Sequence, residues 1–344
     1  MKRPAQVFLS ISPLTLPENN PMNILTAAQK EQFEESGYLL FEDLFDPMED
    51  LQPILNEYEA VLDDLTQKLK EEGIIASTHR GKNFSERVIN LSLKSGRNLG
   101  QHFDFSLPQS GITEDTPIHT GPAVFQMLTN PKMLDFVEDL IGQEIYSNPV
   151  QHVRMKLPPR AVSKNSTSYL TSRVPWHQDL GVIMPEADEA TILTVWFPLT
   201  EATIENGCLQ VVPGSHRAGL VPHCPSSSGI GIPDALVAES KAKPMPMRPG
   251  SVLAMTQRTV HGSLDNVSES DVRISMDLRY QPIGQPCGRP AFAPAGFVAR
   301  SAAHPETELR DPAVWAQNWQ TVKRSLIGED SKFNRWKKGA NGCA

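Results

Sequence analysis

Trp176-His177-Gln178-Asp179 sets an imidazole and a carboxylate two residues apart, and a further imidazole, His261, follows far downstream in Thr259-Val260-His261-Gly262-Ser263. On a strand, residues two apart project to the same side, so His177 and Asp179 can grip one ion together. His261 completes a set of two imidazoles and one carboxylate. Gathered on one face, such a set leaves other coordination positions open, which suits non-haem Fe(II) and oxygen chemistry. Just beyond it, Arg273-Ile274-Ser275 offers a planar donor fork and a hydroxyl, the equipment for holding a carboxylate.

His-X-Asp alone is a weak signal, and the chain carries a second copy, His102-Phe103-Asp104. That copy lies between Gly100 and Pro108 with no matched His and Arg-X-Ser of its own, so it reads as a polar loop or a substrate-side surface. The order of His177, Asp179, His261 and Arg273 separates the first copy from it. His216, after the turn dipeptide Pro213-Gly214, reads as structural. His79, His119, His152 and His223 show no close pairing and read as surface or substrate-side groups.

These residues need strands beneath them. Arg273-Ile274-Ser275-Met276-Asp277-Leu278-Arg279-Tyr280 alternates cleanly, with Arg273, Ser275, Asp277 and Arg279 on one face and apolar residues on the other. An outward, salt-bridged edge is the plain alternative for that face, and it suits Arg279 better than Arg273. Arg248-Pro249-Gly250-Ser251 reads as a turn leading into a strand, and Val153 to Leu157 reads as another. In Thr191 to Leu199, Thr194 and Trp196 share a face. Ahead of these strands, Thr26 can cap a helix over Leu25 to Phe33. Glu49 to Glu72 is amphipathic through Leu51, Ile54, Leu55, Tyr58, Val61, Leu62, Leu65 and Leu69, and Pro131 to Leu140 reads as a short helix. The tail residues Trp315, Trp319, Phe333 and Trp336 read as a helical segment packed back on the strands.

The order His177-X-Asp179, Asn206-Gly207-Cys208-Leu209, Pro213-Gly214-Ser215-His216, His261 and Arg273-X-Ser275 resembles the phytanoyl-CoA dioxygenase family over approximately residues 24 to 282. The resemblance implies a mainly β, double-stranded β-helix (a cupin-like jelly roll) with N-terminal and C-terminal helices. Its barrel core would span about residues 146 to 282. It also implies Fe(II) held by His177, Asp179 and His261, with 2-oxoglutarate and O2 as co-substrates. Arg273 and Ser275 would take the far carboxylate of 2-oxoglutarate. Oxidative loss of CO2 would leave succinate, coupled to oxidation of a C–H bond in a small organic metabolite, with the hard chemistry supplied by the cofactor. Related halogenases carry a small residue in place of this carboxylate, so an intact Asp179 implies hydroxylation, desaturation or another oxidative rearrangement. Gln151 matches a position of polar contact to 2-oxoglutarate in related enzymes, and Lys156 is a second candidate. Both also read as solvated strand residues. Trp196 matches a residue near the co-substrate and reads equally as aromatic core. The competing classes are a catalytically silent binding protein of the same fold and a zinc hydrolase using the same ligands.

At 344 residues with a net charge of −8, the chain can bury one full core and lacks the basic runs of a nucleic-acid or anionic-membrane binder. No apolar stretch reaches bilayer length. Residues 1 to 21 read as a disordered extension and 22 to 344 as one domain, acting on a small molecule in secondary or catabolic metabolism as a monomer or homodimer. Cys208, Cys224, Cys287 and Cys343 are scattered, with neither a zinc module nor a disulfide framework indicated, so a reduced, cytoplasmic setting is expected. Pro158 to Ser168 and Pro222 to Pro246 read as mobile lids. Residues Ile75 to Thr120 read as a source of substrate contacts.

Overall fold

A computed structural model describes residues 23–161, 173–226, 229–329, 331–336 and 343. The extension over residues 1–21 and most of the flap expected at Pro158 to Ser168 lie outside the described residues.

The N-terminal third is helical. Helix α1 (Ala27–Ser36) opens with a reciprocal capping box between Thr26 and Gln29, as the sequence predicts, and Gly37 ends it. Strand β1 (Tyr38–Phe41) follows directly. The long amphipathic run begins with one π turn at Pro47–Leu51 and continues as α2 (Gln52–Glu71), burying Ile54, Tyr58, Leu62, Leu65 and Leu69. Helices α3 (Phe84–Ser95), α4 (Pro122–Leu128) and α5 (Pro131–Ile141) complete this layer. Near the C-terminus α6 (Pro312–Leu326) buries Trp315 and Trp319. Among the described residues the α-helices span more of the chain than the strands do, so the fold is mixed α/β with antiparallel sheets rather than mainly β.

The strands are β2 (Glu144–Ser147), β3 (His152–Lys156), β4 (Leu193–Pro198), β5 (Leu209–Val211), β6 (Cys224–Ser226), β7 (Gly229–Gly231), β8 (Lys243–Met245), β9 (Val252–Thr256), β10 (His261–Ser263), β11 (Arg273–Pro282) and β12 (Phe297–Ser301). A seven-stranded sheet runs β1-β9-β4-β11-β2-β12, with β3 paired to the first half of β11. A three-stranded sheet runs β10-β5-β8, and β6 and β7 form a separate hairpin. The region Pro222 to Pro246, expected to act as a lid, contains the paired strands β6 and β7 and the sheet strand β8.

Alternation explains why both faces of the large sheet are buried. Leu193, Val195 and Phe197 of β4, Ile274, Met276 and Leu278 of β11, and Val153 and Met155 of β3 pack on one side in the core they share with α2 to α6. On the other side, Trp196 joins Leu209 and Val211 of the small sheet in a second core. Residues Arg154, Lys156, Thr194, Arg273, Ser275, Asp277 and Arg279 alternate with the first set, and every one of them is buried. The polar face of β11 therefore looks toward the small sheet, and the outward reading of Arg279 does not hold.

The cysteine reading is corrected as well. Cys224 and Cys343 form a disulfide across 119 residues, while Cys208 and Cys287 are free and buried. Scattered spacing hides such a pair because it joins the β6 strand to the end of the chain. Among the described residues, no helix is long and apolar enough to cross a membrane.

Candidate metal centre and anion pocket

His177 and His261 face each other as a directly opposed antiparallel pair. Each backbone N–H donates to the other's carbonyl, at 2.8 and 2.9 Å, and the rings lie 4.2 Å apart between centroids. In each ring Nδ1–H donates to the carbonyl two residues back, His177 to Pro175 at 3.0 Å and His261 to Thr259 at 2.9 Å. That hydrogen bond fixes the tautomer and leaves both Nε2 lone pairs free for a metal.

Asp179 departs from the expected strand. It opens a 3-10 turn over Asp179–Val182, yet its carboxylate stays on the histidine side, with Oδ1 3.7 Å from His177 Nε2. Gln178, between the two ligands, points away and is held on four sides. Its amide nitrogen donates to Gly219 O at 2.8 Å and Arg258 O at 2.6 Å, its Oε1 accepts from Val221 N, and its backbone N–H donates to His223 Nε2 at 2.9 Å. Pinning Gln178 sets the direction of its neighbours. Donor atoms of His177, Asp179 and His261 all lie within 4.8 Å of one another, the sole such histidine, cysteine or acidic cluster among the described residues.

Electrostatics agree with a metal-ready set. Burial, reinforced by His261, pushes His177 well below the ordinary histidine range and keeps it neutral. Burial would raise the Asp179 carboxyl, but the Arg279 guanidinium, with the Thr194 hydroxyl donating to it, outweighs burial and holds the group below the usual carboxylate range.

The candidate anion pocket expected at Arg273 lies where β11 and β3 face the small sheet. Arg273 is fully buried, donates through Nη1 to Ser275 Oγ at 2.7 Å, and stacks over Trp196 with its guanidinium carbon 5.4 Å from the ring centroid. Among the described residues no carboxylate pairs with it, and its Nε has no hydrogen-bond partner. Lys156, opposite Arg273 in the β3–β11 register, donates to Ser263 Oγ at 2.5 Å and to Leu264 O. Burial, then the charge of Arg273, pushes Lys156 down to about 6. The Lys156 stem crosses Gly207, where a Cβ would stand 2.6 Å from Lys156 Cδ and 2.7 Å from Leu264 O; with φ of 85° only glycine suits that place. A buried guanidinium with an orphaned donor beside a depressed lysine has the donors to receive a carboxylate.

Gln151 is placed differently. It is buried beside Ser147, and its Oε1 accepts from the Arg279 backbone N–H at 3.3 Å, so it supports β11 beside Arg279. The second triplet proves structural: Asp104 takes His152 Nδ1–H at 2.8 Å and Val153 N–H at 2.9 Å, anchoring β3. His119 pairs with Glu57 at 3.1 Å and His223 caps Gln178, so these histidines and His152 do have close partners, contrary to the expectation. His216 Nε2 donates to Glu34 O, the structural role expected of it. Within Ile75 to Thr120, Arg87 is committed to Glu59 and Asp63 of α2. Two partners of the metal set were missed. Thr194 Oγ donates to Asp179 Oδ2 and Arg279 Nη2 to Asp179 Oδ1, although the alternation had already put both side chains on the site-facing side.

With this geometry in hand, similarity to known proteins can be weighed. A family model described as Phytanoyl-CoA dioxygenase (PhyH) matches residues 33–275. The human protein named "Phytanoyl-CoA dioxygenase, peroxisomal" is 28% identical over 255 residues, covering 72% of this chain and 66% of that protein. The "Ectoine dioxygenase" of Bordetella bronchiseptica is 24% identical over 281 residues, covering 77% of this chain and 79% of that protein. Among solved structures, one described as "non-heme monooxygenase; ThoJ apo" superposes with a TM-score of 0.54 at 18% identity, over 86% of this chain and 98% of that one, a likeness of fold.

Proposed function

The chain belongs to the phytanoyl-CoA dioxygenase family and is a 2-oxoglutarate-dependent dioxygenase; on that premise we propose that it hydroxylates a C–H bond of a small organic metabolite. The observation that carries the reading is the pairing of two sites in one inter-sheet space. His177, Asp179 and His261 offer two free Nε2 lone pairs and one carboxylate, and Arg273 offers a buried guanidinium with an unused donor. Iron held by the triad would supply the oxidation, with O2 as the oxidant: one oxygen atom goes to succinate as 2-oxoglutarate loses CO2, and the other goes to the substrate C–H bond.

The chain's own residues do the rest. Arg273 and Ser275 receive the far carboxylate of 2-oxoglutarate, Lys156 supplies a second donor on its flank, and Trp196 walls the pocket and fixes the guanidinium plane. Gln151 acts one step back, by holding β11. Both sheets exclude water, which strengthens every charged contact between them. We read them as the two walls of a double-stranded β-helix built mainly from residues 146 to 282, within one domain over 22 to 344. Ectoine and phytanoyl-CoA, the compounds in the relatives' names, differ so widely that those names leave the substrate open beyond a small molecule. The cytoplasmic setting expected from unpaired cysteines loses that support, because Cys224 and Cys343 are bonded to each other.

The test is succinate release from 2-oxoglutarate under Fe(II) and O2, first without substrate and then across a panel of small metabolites. Slow uncoupled turnover that one metabolite accelerates is expected. Absence of succinate with Fe(II), or hydrolysis supported by Zn(II), would sink the proposal.

A further inference from the structure

We propose that Arg279 and Thr194 are positioning residues that clamp the Asp179 carboxylate from both sides and offer a single oxygen to the metal. This rests on the triad reading above and concerns how the carboxylate ligand is presented.

Arg279 is buried on the site-facing side of β11, six places beyond Arg273 in the alternation. Its guanidinium spans two acceptors, with Nη1 donating to Val150 O and Nη2 to Asp179 Oδ1. Thr194, on neighbouring β4, donates its hydroxyl to Asp179 Oδ2. Both carboxylate oxygens are therefore engaged, and the plane of the group is fixed by two strands of the large sheet while its backbone belongs to the loop beside the small one. Oδ1 faces His177 Nε2 at 3.7 Å, whereas Oδ2 is turned to Thr194. A carboxylate oxygen carries two lone pairs, so Oδ1 can accept from Arg279 and still present one to an ion. Chelation through both oxygens would require Thr194 to let go. The clamp thus keeps coordination by Asp179 to one atom and spares the adjacent position for the co-substrate.

Arg279 is itself held. Asp277 Oδ1 lies 3.7 Å from Arg279 Nη2, and Asp277 Oδ2 receives Arg154 Nη2 at 3.0 Å, so an alternating line of charge runs Arg154, Asp277, Arg279, Asp179 along the inter-sheet face. The Gln151 side chain supports the backbone at Arg279. Hydrogen-bond partners of metal ligands characteristically change affinity by about 10–100-fold when removed.

Anaerobic titration with Co(II), read by its visible absorption, separates this role from mere support of the fold. Arg279→Gln is expected to weaken Co(II) binding by about 10–100-fold, with Arg279→Lys, which keeps a cation on Oδ1, recovering most of the loss. Thr194→Val is expected to weaken binding at the low end of that range, about 10-fold, because the carboxylate is held less firmly, and to change the intensity of the cobalt bands, because Oδ2 is released to join the coordination. Variants that lose thermal stability yet keep wild-type Co(II) affinity and spectrum would overturn the clamp. Should Arg279→Gln fail to fold, Thr194→Val decides alone: wild-type affinity and spectrum refute the proposal. If wild-type protein takes up no Co(II), the triad reading itself fails, an outcome distinct from failure of the clamp.

Discussion

Replacing Arg273 with alanine isolates the anion pocket. The guanidinium is buried and has no carboxylate partner among the described residues, so its contribution should be read on the co-substrate. Removing one partner of a buried, hydrogen-bonded charge pair costs about 2–5 kcal/mol, which is roughly 30- to 4000-fold in affinity. A second effect trims that range. After burial, Arg273 is the leading influence holding Lys156 down to about 6, so its loss lets Lys156 stay protonated nearer neutral pH and take part of the carboxylate's charge. The expected rise in KM for 2-oxoglutarate is therefore at the low end, about 30- to 100-fold, with kcat changed only a few-fold. The sign of the pH dependence follows from the same lysine. Free wild-type enzyme loses the Lys156 proton above about 6, whereas bound dicarboxylate favours the ammonium, so binding takes up a proton. Affinity for 2-oxoglutarate should fall as pH rises from about 6, until the lysine deprotonates in the complex too. In Arg273→Ala the fall should begin at higher pH. Succinate release at saturating Fe(II) over a range of 2-oxoglutarate and pH measures both. A KM within about three-fold of wild type, or loss confined to kcat, would refute the pocket.

Other substitutions separate chemistry from architecture. His177→Ala and Asp179→Ala should each abolish iron-dependent succinate release while circular dichroism still shows a folded chain; turnover retained at ordinary iron levels would exclude these ligands. Asp104→Ala should behave in the opposite way. It strands two buried donors, His152 Nδ1–H and Val153 N–H, at about 1–3 kcal/mol each, lowering the melting temperature without altering metal affinity in the folded protein. Protein purified without reductant should show two free thiols on denaturation, Cys208 and Cys287, and reduction of Cys224–Cys343 should lower unfolding free energy by about 4–5 kcal/mol in the chain-entropy description. Four thiols before reduction would contradict the disulfide.

Much of the candidate site's arrangement is legible because it obeys local rules. The alternation in β11 and β4 predicts which side chains share a face, and residues 273, 275, 277 and 279 do share one. Pattern alone leaves open which face is outside, since helices cover one side of the large sheet and the small sheet covers the other. The outward alternative stays open for Arg279 for that reason. Asp179 reached the right place by another route, since a 3-10 turn, not a strand, carries it. Partners distant in sequence left no local mark. His223 beneath Gln178, Asp104 beneath β3 and the Cys224–Cys343 bond each depend on tertiary closure across long separations.

The most direct measurement is an anaerobic titration of metal-free protein with Fe(II) and then 2-oxoglutarate, following the weak visible charge-transfer absorption of the chelate. Wild-type protein should develop the band, His177→Ala should not, and Arg273→Ala should need far more 2-oxoglutarate to reach it. A band that persists in His177→Ala, or never forms in wild type, would contradict an iron and 2-oxoglutarate site at His177, Asp179, His261 and Arg273.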